Sequence, residues 1–256
     1  MKRKKVFPIF ALLLVASLSI AACSPKAAPA QPAPTPSEQP AEQPTENPFN
    51  ETTLGECYNP FNPVMEGKVW KYAMISNKVT STLEISYKDV TPSSFTSVQQ
   101  FPDIRTEVLW TCGPDGMLSS QNASMSIAQI PDVEFETLEV KGVVIPKEDK
   151  WQVGYSWDTA YVIKIKFTSG ENVFEGQGNM TVTNIISAIE PITVPSGSYS
   201  EAFRVDIAGN MMMSIMGTES TIPLTYTTWY VKNIGMVKSA SADPTMTYSM
   251  ELASLE

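Results

Sequence analysis

Four methionines, Met211, Met212, Met213 and Met216, crowd together, and thioether sulfur is the soft ligand type that suits Cu(I). In an extended strand, however, Met211 and Met213 point one way while Met212 and Met216 point the other. Each face then offers only two sulfurs, and hydrophobic packing accounts for the group better. A second cluster, Asp132, Glu134, Glu136 and Glu139, has the oxygen chemistry for calcium or for a pair of acid–base carboxylates. No EF-hand or Asp-rich repeat spacing accompanies it, so Glu134 and Glu136 read as the solvated edge of a strand. Lys147, Glu148, Asp149 and Lys150 read as a charged loop.

The chain contains no histidine. That removes the commonest general base and zinc ligand, and with them the Ser-His-Asp, Cys-His and HExxH arrangements. Of the three cysteines, Cys57 and Cys112 remain once Cys23 is assigned to the leader described below. Two cysteines in an exported domain most simply pair as a disulfide. The alternative, a reactive thiol, needs a basic neighbour, and Cys112 sits between Trp110-Thr111 and Gly113-Pro114-Asp115.

The context of these residues is set by the first fifty. A basic start, Lys2, Arg3, Lys4 and Lys5, precedes an apolar stretch from Val6 to Ile20, the order of a secretory signal over residues 1–22. The stretch is too short, and its sequel too polar, for a membrane-spanning helix. It ends Ser19-Ile20-Ala21-Ala22-Cys23, which resembles the lipobox of bacterial lipoproteins and implies cleavage before an acylated, palmitate-bearing Cys23. Residues 23–55 carry the lipid and then a Pro-rich tether, with prolines at 25, 29, 32, 34, 36, 40, 44 and 48, a composition that builds no core and favours extended chain. Residues 56–256 are expected to form one exported domain.

The whole chain has 18 Lys and Arg against 27 Asp and Glu, and four of the basic residues belong to the signal. The mature protein is strongly acidic, which excludes nucleic acid as a partner and leaves the lipid as the means of membrane attachment.

Alternation of apolar and polar residues dominates the domain. Val79, Ser81, Leu83, Ile85 and Tyr87 share a face, as do Ile104, Thr106, Val108, Trp110 and Cys112, and Thr159, Tyr161, Ile163, Ile165 and Phe167. Further strands are expected over 69–75, 95–101, 133–145, 179–189, 203–216, 224–231 and 246–252. Turn signals separate them at Gly113-Pro114-Asp115-Gly116, Ser169-Gly170, Pro195-Ser196-Gly197 and Asn233-Ile234-Gly235. The expected class is all-β and mainly antiparallel: a curved sheet, a half-barrel or barrel, or a sandwich. Trp110–Ser120 (WTCGPDGMLSS) and Trp229–Ser239 (WYVKNIGMVKS) repeat Trp, Gly, Met, an aliphatic and Ser at the same spacing, which raises the alternatives of two related halves and of convergent hairpins. The aromatics Trp70, Trp110, Trp151, Trp157 and Trp229, with Tyr72, Tyr155, Tyr161, Tyr226 and Tyr230, could line a carbohydrate or lipid site, although strand aromatics serve the core by default.

Three segments, Cys57–Trp70 (CYNPFNPVMEGKVW), Val194–Val205 (VPSGSYSEAFRV) and Trp229–Lys238 (WYVKNIGMVK), resemble an uncharacterised family of secreted bacterial lipoproteins with a domain of unknown function, labelled TapB-like. The resemblance implies an antiparallel β domain and supplies no catalytic residues. No catalytic residue, metal site or cofactor is therefore assigned, and ligand-binding residues are left open. The expectation is a noncatalytic, cell-envelope-anchored binding or structural protein, on the cell surface or the periplasmic face of a membrane, whose partner is an apolar ligand or an envelope protein. The alternatives are a carboxylate-dependent hydrolase such as a glycosidase, and an adhesion or assembly protein.

Overall fold

In a computed structural model, the structure describes residues 50–76, 78–121, 133–169, 172–215, 217–241 and 248–256. Asn50 opens a short helix, α1 (Glu51–Leu54), accepting a hydrogen bond from the Thr53 amide in the manner of an N-cap. Glu51 to Gly55, the end of the stretch expected to be tether, therefore belong to the folded part. A capping asparagine just ahead of the buried Leu54 is enough to close one helical turn.

Thirteen strands follow: β1 (Val69–Ser76), β2 (Val79–Lys88), β3 (Ser94–Gln100), β4 (Arg105–Gly113), β5 (Gly116–Ser119), β6 (Val133–Gly142), β7 (Ile145–Pro146), β8 (Ser156–Ser169), β9 (Asn172–Val194), β10 (Gly197–Ile215), β11 (Thr218–Val231), β12 (Gly235–Ser241) and β13 (Tyr248–Leu255). They form one antiparallel sheet in the order β6-β8-β9-β10-β11-β12-β13-β1-β2-β3-β4-β5-β7. The expected class holds, and the architecture is a single open sheet.

The two edges of this sheet, β6 and β7, are separated along the chain only by Val143 and Val144. Three Cα–Cα links span at most about 11 Å, so the sheet has to curl until its edges approach at that corner. The Val144 amide donates to the Met117 carbonyl (2.8 Å) and the Thr159 hydroxyl to the Val143 carbonyl (2.5 Å), fixing the corner from both sides. The expected single strand over 133–145 breaks here, because Gly142 takes φ +81°, and a Cβ at this position would run into the Asp158 carbonyl.

Curling places one side chain of each alternating pair inside. Trp157, Thr159, Tyr161, Ile163 and Ile165 of β8 are buried, as are Met180, Val182, Asn184 and Ile186 of β9 and Val205, Ile207 and Met211 of β10. They join Phe95 of β3, Met117 of β5 and Ile145 of β7 in one core, so residues near both edges meet inside. A second core gathers Trp70, Tyr72, Met74, Leu83, Val237, Met250 and Leu252 from β1, β2, β12 and β13, together with Val194 at the end of β9. The β9–β10 hairpin serves both cores because its register shifts between Tyr199 and Ala202 and again between Arg204 and Val205, and bulges bend a strand.

Both copies of the repeated Trp–Gly–Met–Ser segment are hairpins, with different loops. Gly113 pairs with Gly116 across two residues, whereas Val231 pairs with Gly235 across three, with Asn233 at φ +65° and a bulge beside Trp229.

Candidate functional site

The chain arrives at the end of the sheet where the β2–β3 and β4–β5 turns lie, called here the proximal end. Residues 54–68 cross that end as a plug. Leu54 and Cys57 are buried, the Cys57 amide donates to the Pro92 carbonyl (3.2 Å), and Cys57 is bonded to Cys112 of β4 as expected, with Cα atoms 5.1 Å apart. Gly55 takes φ +53° and lies close under Pro92, an approach that a Cβ would obstruct.

Beyond the disulfide, the buried amide of Asn59 donates to the Pro146 carbonyl (2.8 Å) and its oxygen accepts from the Phe61 amide (2.9 Å). This bond pair turns the Phe61 ring into the core. There it stacks on Trp151 with centroids 3.9 Å apart and meets Phe203 edge-on at 4.8 Å. Trp151 in turn contacts Tyr230 and Trp157, and Tyr155 stacks on Trp157. The plug is sealed by Pro60, whose carbonyl accepts from the Asn233 amide (2.7 Å).

The segment expected to be a charged loop also secures the plug. It contains a short 3-10 turn, Glu148–Lys150. Lys147 pairs with the Glu56 carboxylate (2.7 Å) and donates to the Glu56 carbonyl (3.1 Å), while Glu148 pairs with Lys232 (2.7 Å). Only the Lys150–Asp149 pair is local to the loop.

The remaining candidates scatter. Met211 is buried opposite Met180, a neighbour that the spacing within β10 could not reveal; Met213 packs at the core margin, and Met212 faces solvent, 55 % exposed. Met216 and Asp132 lie outside the described residues. Glu134 pairs with Lys166 (3.0 Å) across β6 and β8, Glu139 pairs with Lys141 (3.0 Å), and Glu136 is exposed on the face of Glu134. Lys164 pairs with Glu175 (2.9 Å), an ion pair that raises the lysine pKa. Among the described residues no group of three His, Cys, Asp or Glu side chains is placed to hold a metal ion.

The expected aromatic set is spent on the two cores. Trp70, Tyr72, Trp151, Trp157 and Tyr161 are buried, and Trp110, Tyr155, Tyr226, Trp229 and Tyr230 pack against them. Burial raises the Tyr226 pKa to about 12, that of Tyr230 further, and that of Tyr72 well above its ordinary value. Among the described residues, surface depressions lie on the outside of the sheet, a larger and a smaller one among them. The larger, about 480 Å³, is lined by Lys164, Glu175, Gly176, Gln177, Ser214 and Gly217, and the smaller, about 190 Å³, lies between β6, β8 and β9. Cys23 lies outside the described residues.

No protein-family model matches the sequence, and no curated protein matches it. Two solved structures do resemble the fold. One, from Bacteroides fragilis, is described as an exported protein with a YmcC-like fold; it shares 15% identity at a TM-score of 0.53, over 77% of this chain and 99% of its own. The other, from Parabacteroides distasonis, is described as a lipoprotein; it shares 18% identity at a TM-score of 0.50, over 77% of this chain and 99% of its own. At such identities the likeness is one of fold, and this chain shares the architecture of those two proteins.

Proposed function

We propose that this chain is a cell-envelope lipoprotein of the kind labelled TapB-like, held by lipid on Cys23, whose β domain works without catalysis as a binding or structural module. One observation carries the noncatalytic reading: the inside of the curled sheet is packed with side chains, while Glu134, Glu139 and Glu175 stand outside it, paired with lysines. A carboxylate-dependent hydrolase needs two carboxyl groups about 5–9 Å apart in a cleft open to substrate. Lysine-paired acids on an outer face are a poor start for that chemistry. Export is supported by the leader, and by a fold shared with one protein described as exported and another described as a lipoprotein.

Of the two partner classes, an envelope protein suits the domain better than an apolar small molecule. The larger depression is lined by charged and polar side chains and two glycines, and the aromatics that could hold an apolar ligand are used in packing. The test is to isolate the native product and weigh its N-terminal peptide. A diacyl or triacyl mass on Cys23 is expected, and an unmodified or differently cleaved terminus would refute anchoring. For the noncatalytic reading, the domain is incubated with a panel of glycans. Turnover that disappears with Glu136→Gln would overturn it.

A further inference from the structure

The order of features along the first twenty described residues carries a mechanical consequence. Tension arriving from the N-terminal side meets α1, then Cys57, and only afterwards Tyr58–Lys68, the stretch that seats Phe61 against Trp151. We propose that the Cys57–Cys112 disulfide diverts tension from the tether into β4, so that the plug stays seated while the anchor is pulled. The pull in the cell rests on the lipoprotein reading above; the diversion itself rests on geometry alone.

Cys112 lies near the proximal end of β4, which is laddered to β3 from Ser94↔Thr111 to Gln100↔Arg105 and to β5 from Trp110↔Ser119 to Gly113↔Gly116. A pull along the strand from that end loads these ladders in shear, with many hydrogen bonds sharing the force. Without the disulfide the same pull would reach the plug residue by residue. The Cys57–Pro92 hydrogen bond and the Asn59 bonds would then be loaded one after another, and each is weak alone. The attachment points enclose Tyr58–Lys68, the part of the plug that the disulfide shields: Cys57 before it, and β1, held between β13 and β2, after it.

The test is force spectroscopy on the folded, oxidised protein, with one handle on the chain ahead of Asn50 and the other in a tag inserted at the exposed Gly217 turn. At constant force below global rupture, the oxidised protein is expected to hold its length. Adding a small thiol reductant lets its thiolate attack one sulfur; a mixed disulfide forms and the other cysteine leaves as a thiolate. Each such event should be followed by one extension step of up to about 40 Å, the contour of the plug from Cys57 to Val69. The rate of these steps should rise several-fold as the force is raised, because a bond in the line of tension breaks faster when stretched. A rate independent of force would place the disulfide outside the line of tension and overturn the proposal. Release of the plug while the disulfide is intact, or a plug that stays seated after reduction, would overturn it equally. Artificial handles make the result independent of lipidation, which the mass measurement on Cys23 decides separately.

Discussion

Phe61 and Trp151 lie face to face, ring centroids 3.9 Å apart and planes 11° from parallel, although they stand ninety positions apart in the chain. The contact joins the plug to the loop between β7 and β8 and closes the proximal end of the larger core. Truncating Phe61 to alanine removes a buried ring, 3% exposed, from a site walled by Trp151 and Phe203. Large-to-small aromatic changes in cores cost about 3–5 kcal/mol. Urea denaturation of Phe61→Ala should show a loss of that size, and a loss below about 1 kcal/mol would mean that the plug is peripheral to the core.

Asn59 has a separate, polar part in the same plug. Its side chain is 1% exposed and both of its amide atoms are used. Alanine leaves the Phe61 amide without its partner, a loss of about 1–3 kcal/mol for a buried group, while the Pro146 carbonyl keeps the Trp151 indole N–H (3.1 Å) as a donor. Asn59→Asp should be no milder, since it replaces the donor to Pro146 with a carboxylate. Denaturation midpoints of the two variants measure this directly.

Gly209 stands in the inward-facing register of β10, between Val182 of β9 and Leu224 of β11. A Cβ there would run into the Thr181 carbonyl and come within 2.7 Å of the Val182 Cα. Gly209→Val should therefore unseat the β9–β10 ladder, despite valine's preference for strands. Thermal unfolding should begin lower, with faster amide exchange around Thr181; unchanged exchange would show that the strands can spread to admit a side chain.

The pH profile should be flat across neutrality and fall on the alkaline side. No histidine is present, and both domain cysteines are in the disulfide, so no side chain in the described domain has its ordinary titration between about pH 6 and 9. Burial lifts Tyr226 and Tyr248 to about 12, Tyr87 and Tyr230 higher still, and Tyr72 well above its ordinary value. In the unfolded chain tyrosine ionises near pH 10. The folded state thus keeps protons that the unfolded state releases, and stability is fully present below about pH 10 and lost as pH rises through 12. The part of the tyrosinate absorbance near 295 nm that disappears in Tyr87→Phe and Tyr230→Phe should arise together with unfolding; if that part rises before structure is lost, the burial of these two rings is contradicted.

Much of the sheet was legible because period-two alternation reports burial directly: Leu83, Val108, Tyr161, Ile163 and Ile165 all sit inside as their spacing required. Strand length was less legible. The expected strand over 179–189 extends to Asn172–Val194, because Gly176, Gly178 and the polar outward residues carry little apolar signal and are held by long-range pairing. The disulfide could be inferred from cysteine number and compartment. The plug could not, since Asn59, Phe61 and Lys147 acquire their roles only when β7 and its following loop fold against the proximal end. Glu56–Lys147 and Met180–Met211 are of the same kind: each partner is unremarkable within its own segment.

The seam between β1 and β13 sets a condition on when the sheet can form. Val69–Ser76 pairs with residues near 250, and Val69 and Glu256 exchange both backbone hydrogen bonds at 3.0 Å. The strands on the two sides of that seam cannot become one sheet until β13 has been delivered. Pairing across so long a stretch of chain slows folding, and for a chain exported in extended form, as proposed above, it would keep the sheet from locking before the last strand arrives.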